Sequence, residues 1–336
     1  MAISMIGDLR QHFVTTRHNT SLKNDLNTLV QELTSGEKSD LTSHLNGDQT
    51  ILAGLDRQLQ MLQQFSQSNV ETGQFLSLMQ TTIAGVDSHR ETANAALLSI
   101  NTSSTPSQIE NAAEVARGSF DAVVKTLNVR SAGNTMFGGN NFGSNALADP
   151  EVIMADLESA VVGLTTAGDI NSAIDAWFDA PAGGFETDGY LGDASGYISR
   201  LSAAEQTVEI GVRADDQAIR DTLKALAKGA LAGEPSLGIG TETQQELQER
   251  AGIDLLSSAS GLTGLQARIG YAEQRIEQAS VRTTAQISSL SIARNDLVAA
   301  DPFETATRLQ SVQLQLKTHY TLTARLSNLS LTEYLR

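Results

Sequence analysis

Five histidines, at positions 12, 18, 44, 89 and 319, are the side chains best suited to hold a metal or move a proton near neutral pH. Their spacing serves neither purpose. His12 and His18 stand six apart, on different faces of a helix, and no pair has the His-Glu-x-x-His spacing that sets two imidazoles on one helical face. The stretch GDASG at 192–196 has Ala194 where a nucleophile elbow needs serine. GIGTET at 238–243 shares two glycines with nucleotide-binding loops but lacks the third glycine, the lysine and a preceding strand. FETDGYLGDASG brings Asp188 and Asp193 near glycines, as calcium loops do, without the 1-3-5 ligand spacing or the closing glutamate. It reads as an acidic turn. A chain without cysteine has no thiolate nucleophile, no cysteine metal site and no disulfide framework. No enzyme activity, cofactor or metal is expected.

Charge narrows the partners. The net charge is -16, and residues 140–260 hold 20 acidic against 6 basic side chains. An acidic middle between nearly neutral ends argues against nucleic acid and against anionic lipid. No basic patch with interleaved aromatics offers a nucleic-acid surface. The start, MAISMIGDLRQHFVTTRHN, lacks a basic segment followed by an unbroken apolar one, and no run approaches 18 apolar residues. Neither a signal peptide nor a membrane span is expected.

The elements that would position anything are helices. Aromatics make up only 4% of the chain, and the five prolines fall where helices could begin or loops turn. Asp149 with Pro150, Asp301 with Pro302 and Glu304, and Thr105 with Pro106 each pair an N-cap residue with proline at the first helical position, where its missing N–H costs nothing. Apolar residues recur at three and four through 49–100, through Ile109 to Leu127, and from Leu262 to Leu297. The last pattern predicts a helix over 241–299, about 90 Å long at 1.5 Å per residue. Gly252, Gly261, Gly264 and Gly270 are expected to break its first half. A stripe so long and narrow needs partner helices, and 49–100 with 107–130 supply them.

The middle has another texture. Residues 131–146 and 179–196 are rich in Gly, Asn and Asp and read as turns, whereas YISRLS and TVEIGVRA alternate around AAEQ and predict a hairpin. Trp177 and Phe178 are expected to anchor a small core there. The fold class expected is mainly α: an elongated antiparallel coiled-coil or helical-bundle rod from the N- and C-terminal halves, with a small α+β domain inserted. The expected divisions are 1–43, an N-terminal assembly helix; 44–131, rod helices; 132–235, the insert; 236–300, the long rod helix; and 301–336, a C-terminal assembly helix.

The two end segments carry apolar stripes that run almost to the last residue, unlike ordinary frayed termini. Interrupted by Thr16, Thr20, Ser327 and Asn328, they bury too little together to offset the entropy of ordering, and are expected to be disordered in an isolated subunit until neighbours cover them. The interface residues expected are Ile6, Leu9, Phe13, Leu22, Leu26 and Leu29 at one end, and Leu309, Leu316, Tyr320, Leu326, Leu329, Leu331 and Leu335 at the other.

LVQELTSGEK (29–38), TLNVRSAGNTMFGG (126–139), VEIGVRADDQAI (208–219) and RLQSVQLQLKTHYTLTARLSNLSLTEYL (308–335) resemble, in order and spacing from the two ends, the flagellin-like axial proteins, and within them the hook-filament junction type. The second of these resembles a segment in which a helix leaves into an aromatic-Gly-Gly strand. Filament flagellin is the nearest competitor, but SDLTSHLNGD lacks its Asp-Asp-Ala-Ala-Gly run; a coiled-coil scaffold unrelated to flagella is the other alternative. Where junction proteins generally have Asp-Pro, this chain has Asn46, Gly47 and Asp48, which leaves the start of the second helix open. The resemblance implies export through the flagellar type III channel to an extracellular place on the flagellum. It also implies a ring of copies meeting hook-associated protein 1 and flagellin, and an export chaperone that covers the C-terminal helix beforehand.

Overall fold

The computed structural model describes the backbone of residues 2–334 and the side chains of residues 10 and 12–325. Its helices are α1 (Ala2–Ser35), α2 (Leu41–His44), α3 (Thr50–Leu98), α4 (Pro106–Leu127), α5 (Pro150–Val161), α6 (Ala167–Asp179), α7 (Gln217–Leu231), α8 (Thr241–Val298) and α9 (Pro302–Tyr334). Four short strands complete it: β1 (Arg130–Ser131), β2 (Asn134–Thr135), β3 (Ile198–Ala203) and β4 (Gln206–Ile210). Long helices with two small antiparallel two-stranded sheets make the chain mainly α with a small α+β insert. Two compact units result, Met1–Gln63 with Ala285–Arg336, and Gln64–Thr284; α3 and α8 contribute a stretch to each.

The larger unit holds the apolar core. Phe75, Leu76, Met79, Ile83 and Val86 of α3 bury one face against Leu255, Leu262, Leu265 and Ile269 of α8, with Ile109, Phe120 and Leu127 of α4 in the same cluster. The three-four spacing of these residues gives each helix its buried stripe. Thr105 and Gln108 close a capping box at the start of α4, the Thr105 N–H donating to Gln108 Oε1 at 2.8 Å. Asp149 occupies the N-cap of α5 without a side-chain cap bond, so there the proline alone favours the start.

The expected break in α8 does not occur: one helix runs unbroken for 58 residues. Two of the four glycines have a packing reason, whereas Gly264 and Gly270 face open space and the helix carries them. A Cβ on Gly252 would come within 2.7 Å of Leu98 Cδ2, and one on Gly261 within 2.8 Å of Ala218 Cβ. Their absent side chains let α3 and α7 approach, and the burial gained offsets a propensity cost of about 1 kcal/mol each.

β3 and β4 pair antiparallel from Ile198 opposite Ile210, and the turn places Glu205 at φ 60. Both hairpin edges are occupied. On one side Ser68 Oγ and Asn69 Nδ2 donate to the carbonyls of Leu201 and Ser202; on the other Arg268 Nη1 and Arg275 Nη2 donate to those of Gly211 and Thr207 at 2.7 and 3.0 Å. Backbone groups that would otherwise template further pairing are thereby used.

Phe137-Gly138-Gly139, implied to be a strand, forms a turn outside the strands. Phe137 is fully buried, and Gly139 adopts φ +63, where a Cβ would run into the carbonyl of Asp193. The neighbouring loop is held by Arg213, whose Nε donates to Asp215 Oδ1 at 2.8 Å and whose Nη1 donates to Ala194 O at 2.8 Å. Tertiary packing therefore overrides the extended reading. Trp177, Phe178, Phe185 and Tyr190 form the aromatic cluster nearby, with Phe178 and Phe185 stacked at 5.5 Å.

Candidate assembly interface

The smaller unit contains α1, α2, α9 and the adjoining stretches of α3 and α8. Its hinge of sequence is Gly36-Glu37-Lys38. Gly36 takes φ +73, ends α1, and its carbonyl accepts from Ala300 N at 2.8 Å, while Lys38 N donates to Val298 O at 2.9 Å. The residues leaving α1 and those entering α9 thus form a short antiparallel bridge, Glu37 opposite Ala299.

Arg294 fastens that bridge. Its Nη1 donates to Glu37 Oε1 at 2.8 Å and its Nε to Asp56 Oδ1 at 2.9 Å, and these two carboxylates hold the guanidinium above its usual pKa. Glu32, almost fully buried, accepts from Ser39 N at 3.0 Å and pairs with Lys38 at 3.4 Å. Asp301 caps α9 through its Oδ1, which accepts from the N–H groups of Phe303 and Glu304 at 2.8 and 3.0 Å. At the start of α3, Asp48 Oδ1 accepts from Thr50 N at 3.0 Å, and the bonds with Thr50 hold its carboxyl below the ordinary range. The long helix whose start the sequence left open, α3, therefore begins at Thr50, with Asp48 bonded to its first N–H in place of an Asp-Pro pair.

α1 and α9 pack on one another. Leu22 and Leu316 are buried in that contact, Leu26, Leu29 and Leu309 are half-buried, and Phe13 and Tyr320 remain 67% and 48% exposed. The rings of His18 and His319 meet at 5.6 Å. Ile6, Leu9, Leu326, Leu329 and Leu331 belong to α1 and α9, but their side chains lie outside the described residues, as does Leu335 altogether. Among the described side chains of these two helices, Leu22 and Leu316 are the sole buried apolar ones. Val14, Leu314 and Leu322 lie more than half exposed, and Phe303 at the start of α9 is 83% exposed.

Sequence reasoning missed the Arg294, Glu37 and Asp56 clasp. Its members are 238 and 257 residues apart, so no local pattern could reveal it. Among the described residues no three His, Asp or Glu side chains are grouped as a metal would need, and no helix is long and apolar enough to cross a membrane. What this arrangement offers is apolar surface on paired helices.

Residues 253–335 match the family model of the bacterial flagellin C-terminal helical region, which takes in most of α8 and all of α9. Compared with curated protein sequences, the chain matches none. Among solved structures, one described provisionally as a flagellar hook-associated protein of Vibrio parahaemolyticus is similar with a TM-score of 0.51. That likeness covers 75% of this chain and 99% of the other at 13% identity, and is a likeness of fold. The chain is thus similar to flagellin over its C-terminal helical region, and to that flagellar structure in fold.

Proposed function

We propose that the protein is a structural subunit of the bacterial flagellum, of the type that joins the hook-associated zone to the filament. In this reading copies form a ring between hook-associated protein 1 and flagellin. The chain reaches that place through the flagellar export channel, with a chaperone covering the C-terminal helix on the way. Segments 1–43 and 301–336 are the assembly parts, 44–131 and 236–300 the rod, and 132–235 the inserted α+β domain.

One observation carries it. Helices of 34 and 33 residues share, among their described side chains, a single buried leucine each. Ordering a residue costs roughly 1 to 2 kcal/mol of backbone entropy, and a fully buried leucine returns only about 1.5 to 3 kcal/mol. Hydrogen bonds within the helices narrow that gap without closing it for helices this poorly covered. The remaining cover must come from other chains, and like copies in a tube supply it repeatedly.

The test is deletion of the gene in its motile host. The reading expects hooks to remain on the cells while unassembled flagellin appears in the medium. Intact filaments on the deleted strain would overturn it. The flagellin match over 253–335 also favours a second reading, filament flagellin itself. In that case the purified chain would grow long filaments from seeds, whereas a junction subunit stops after joining a hook-associated neighbour.

A further inference from the structure

The larger unit carries two exposed helix faces without charge, one on α8 and one on α3. On α8, Ile253, Leu256, Tyr271 and Val281 are each more than half exposed. At 3.6 residues per turn they fall within about 80° of one another, opposite the buried stripe of Leu255, Leu262 and Ile269. Between them the same face presents Ser260, Ala267, Gln274 and Gln278, all exposed and uncharged. On α3 the outward face reads Val70, Gln74, Ser77, Thr81, Ser88 and Thr92, also exposed, within about 60°.

Charge says what covers them. Residues 64–284 hold 28 acidic and 13 basic side chains, so two copies repel over most of their surface. A basic partner would be drawn to the carboxylates elsewhere and would gain nothing from faces that lack them. A second copy of this chain meets the opposite condition: only uncharged faces let it approach without burying unpaired charge. The two faces also differ in relief. Large side chains stand on α8, and small hydroxyls lie on α3 where such side chains can seat.

We infer that in the assembled state the exposed stripe of α8 packs on the Ser- and Thr-lined outward face of α3 of a neighbouring copy. The contact is heterologous, so it repeats from copy to copy instead of closing a pair. It rests on the self-assembly part of the function proposed above, and it adds a surface remote in sequence from the end helices.

The absence of cysteine makes a clean test possible. Tyr271→Cys is combined in turn with Ser77→Cys, Thr81→Cys and Ser88→Cys in the full chain, and retained helix content by circular dichroism shows that each variant is folded. Purified chains are salted into assemblies with ammonium sulfate, oxidised and run without reductant. At least one double variant is expected to give a ladder of disulfide-linked multimers, while every single variant stays monomeric. Monomer alone from all three double variants overturns the inference, as does a dimer from Tyr271→Cys by itself. The same variants expressed in the motile host separate this from the flagellar reading. Absence of the chain from isolated hook-filament particles defeats that reading, and the salted assemblies still decide the contact.

Discussion

Arg294 Nη1 donates to Glu37 Oε1 at 2.8 Å across 257 residues of chain. The same guanidinium reaches Asp56, so the end of α8, the exit of α1 and the first turns of α3 share one cation. Arg294→Ala is expected to lower stability by only about 1 kcal/mol, because all three side chains are partly exposed and solvent screens them. The difference between wild type and variant, read as a denaturation midpoint, should shrink in 1 M salt. Equal midpoints at low salt would contradict the clasp.

Gly139 stands where φ is +63 and where a Cβ would meet the carbonyl of Asp193. Gly139→Ala is expected to destabilise by about 2 kcal/mol or more through strain and displaced backbone. Gly143 has open space and no positive φ, so Gly143→Ala serves as the neutral control. Trp177, the single tryptophan, sits in the aromatic cluster of the same unit and reports unfolding of both variants by fluorescence.

Asp48 couples the start of α3 to pH. Its carboxyl is held below the ordinary value of 3.8 by the bonds with Thr50. A depressed folded value means that the ionised form stabilises the fold: the contribution is complete above 3.8 and is lost as pH falls through the depressed value. The midpoint difference between wild type and Asp48→Asn should therefore be largest near neutrality and close below pH 3.8. Thermal scans from neutral to acid pH read it, and a difference unchanged in strong acid would contradict the assignment.

Leu326→Asp and Leu329→Asp address the end of α9. Each is expected to leave the helix content of the purified chain unchanged while abolishing filament attachment, since a charge buried without a partner at a helix contact costs several kcal/mol. Normal motility in both variants would sink this.

Much of the fold was legible because it is written in local pattern. The three-four spacing located α8 at 241–298 against an expected 241–299, and alternation around AAEQ located the β3–β4 hairpin. The proline-led starts at Thr105 and Asp301 appear as capped helices. The misreadings were tertiary. Gly252 and Gly261 look like breakers until Leu98 and Ala218 are seen against them, and Phe137-Gly138-Gly139 looks extended until Asp193 and Arg213 fold over it. The Arg294 clasp joins residues that no window along the chain contains together. For the interface, spacing picked out Leu22 and Leu316, which lie buried between α1 and α9, but it could not distinguish them from Phe13 and Tyr320, which that pairing leaves exposed.

Amide hydrogen exchange, compared between isolated full-length subunits and assembled ones, tests the central claim most directly. In the isolated subunit the account predicts rapid exchange through residues 2–35 and 302–334 beside slow exchange in the cores of α3, α4 and α8, with the end helices becoming protected on assembly. End helices as protected in the lone subunit as the core of α8 would contradict it.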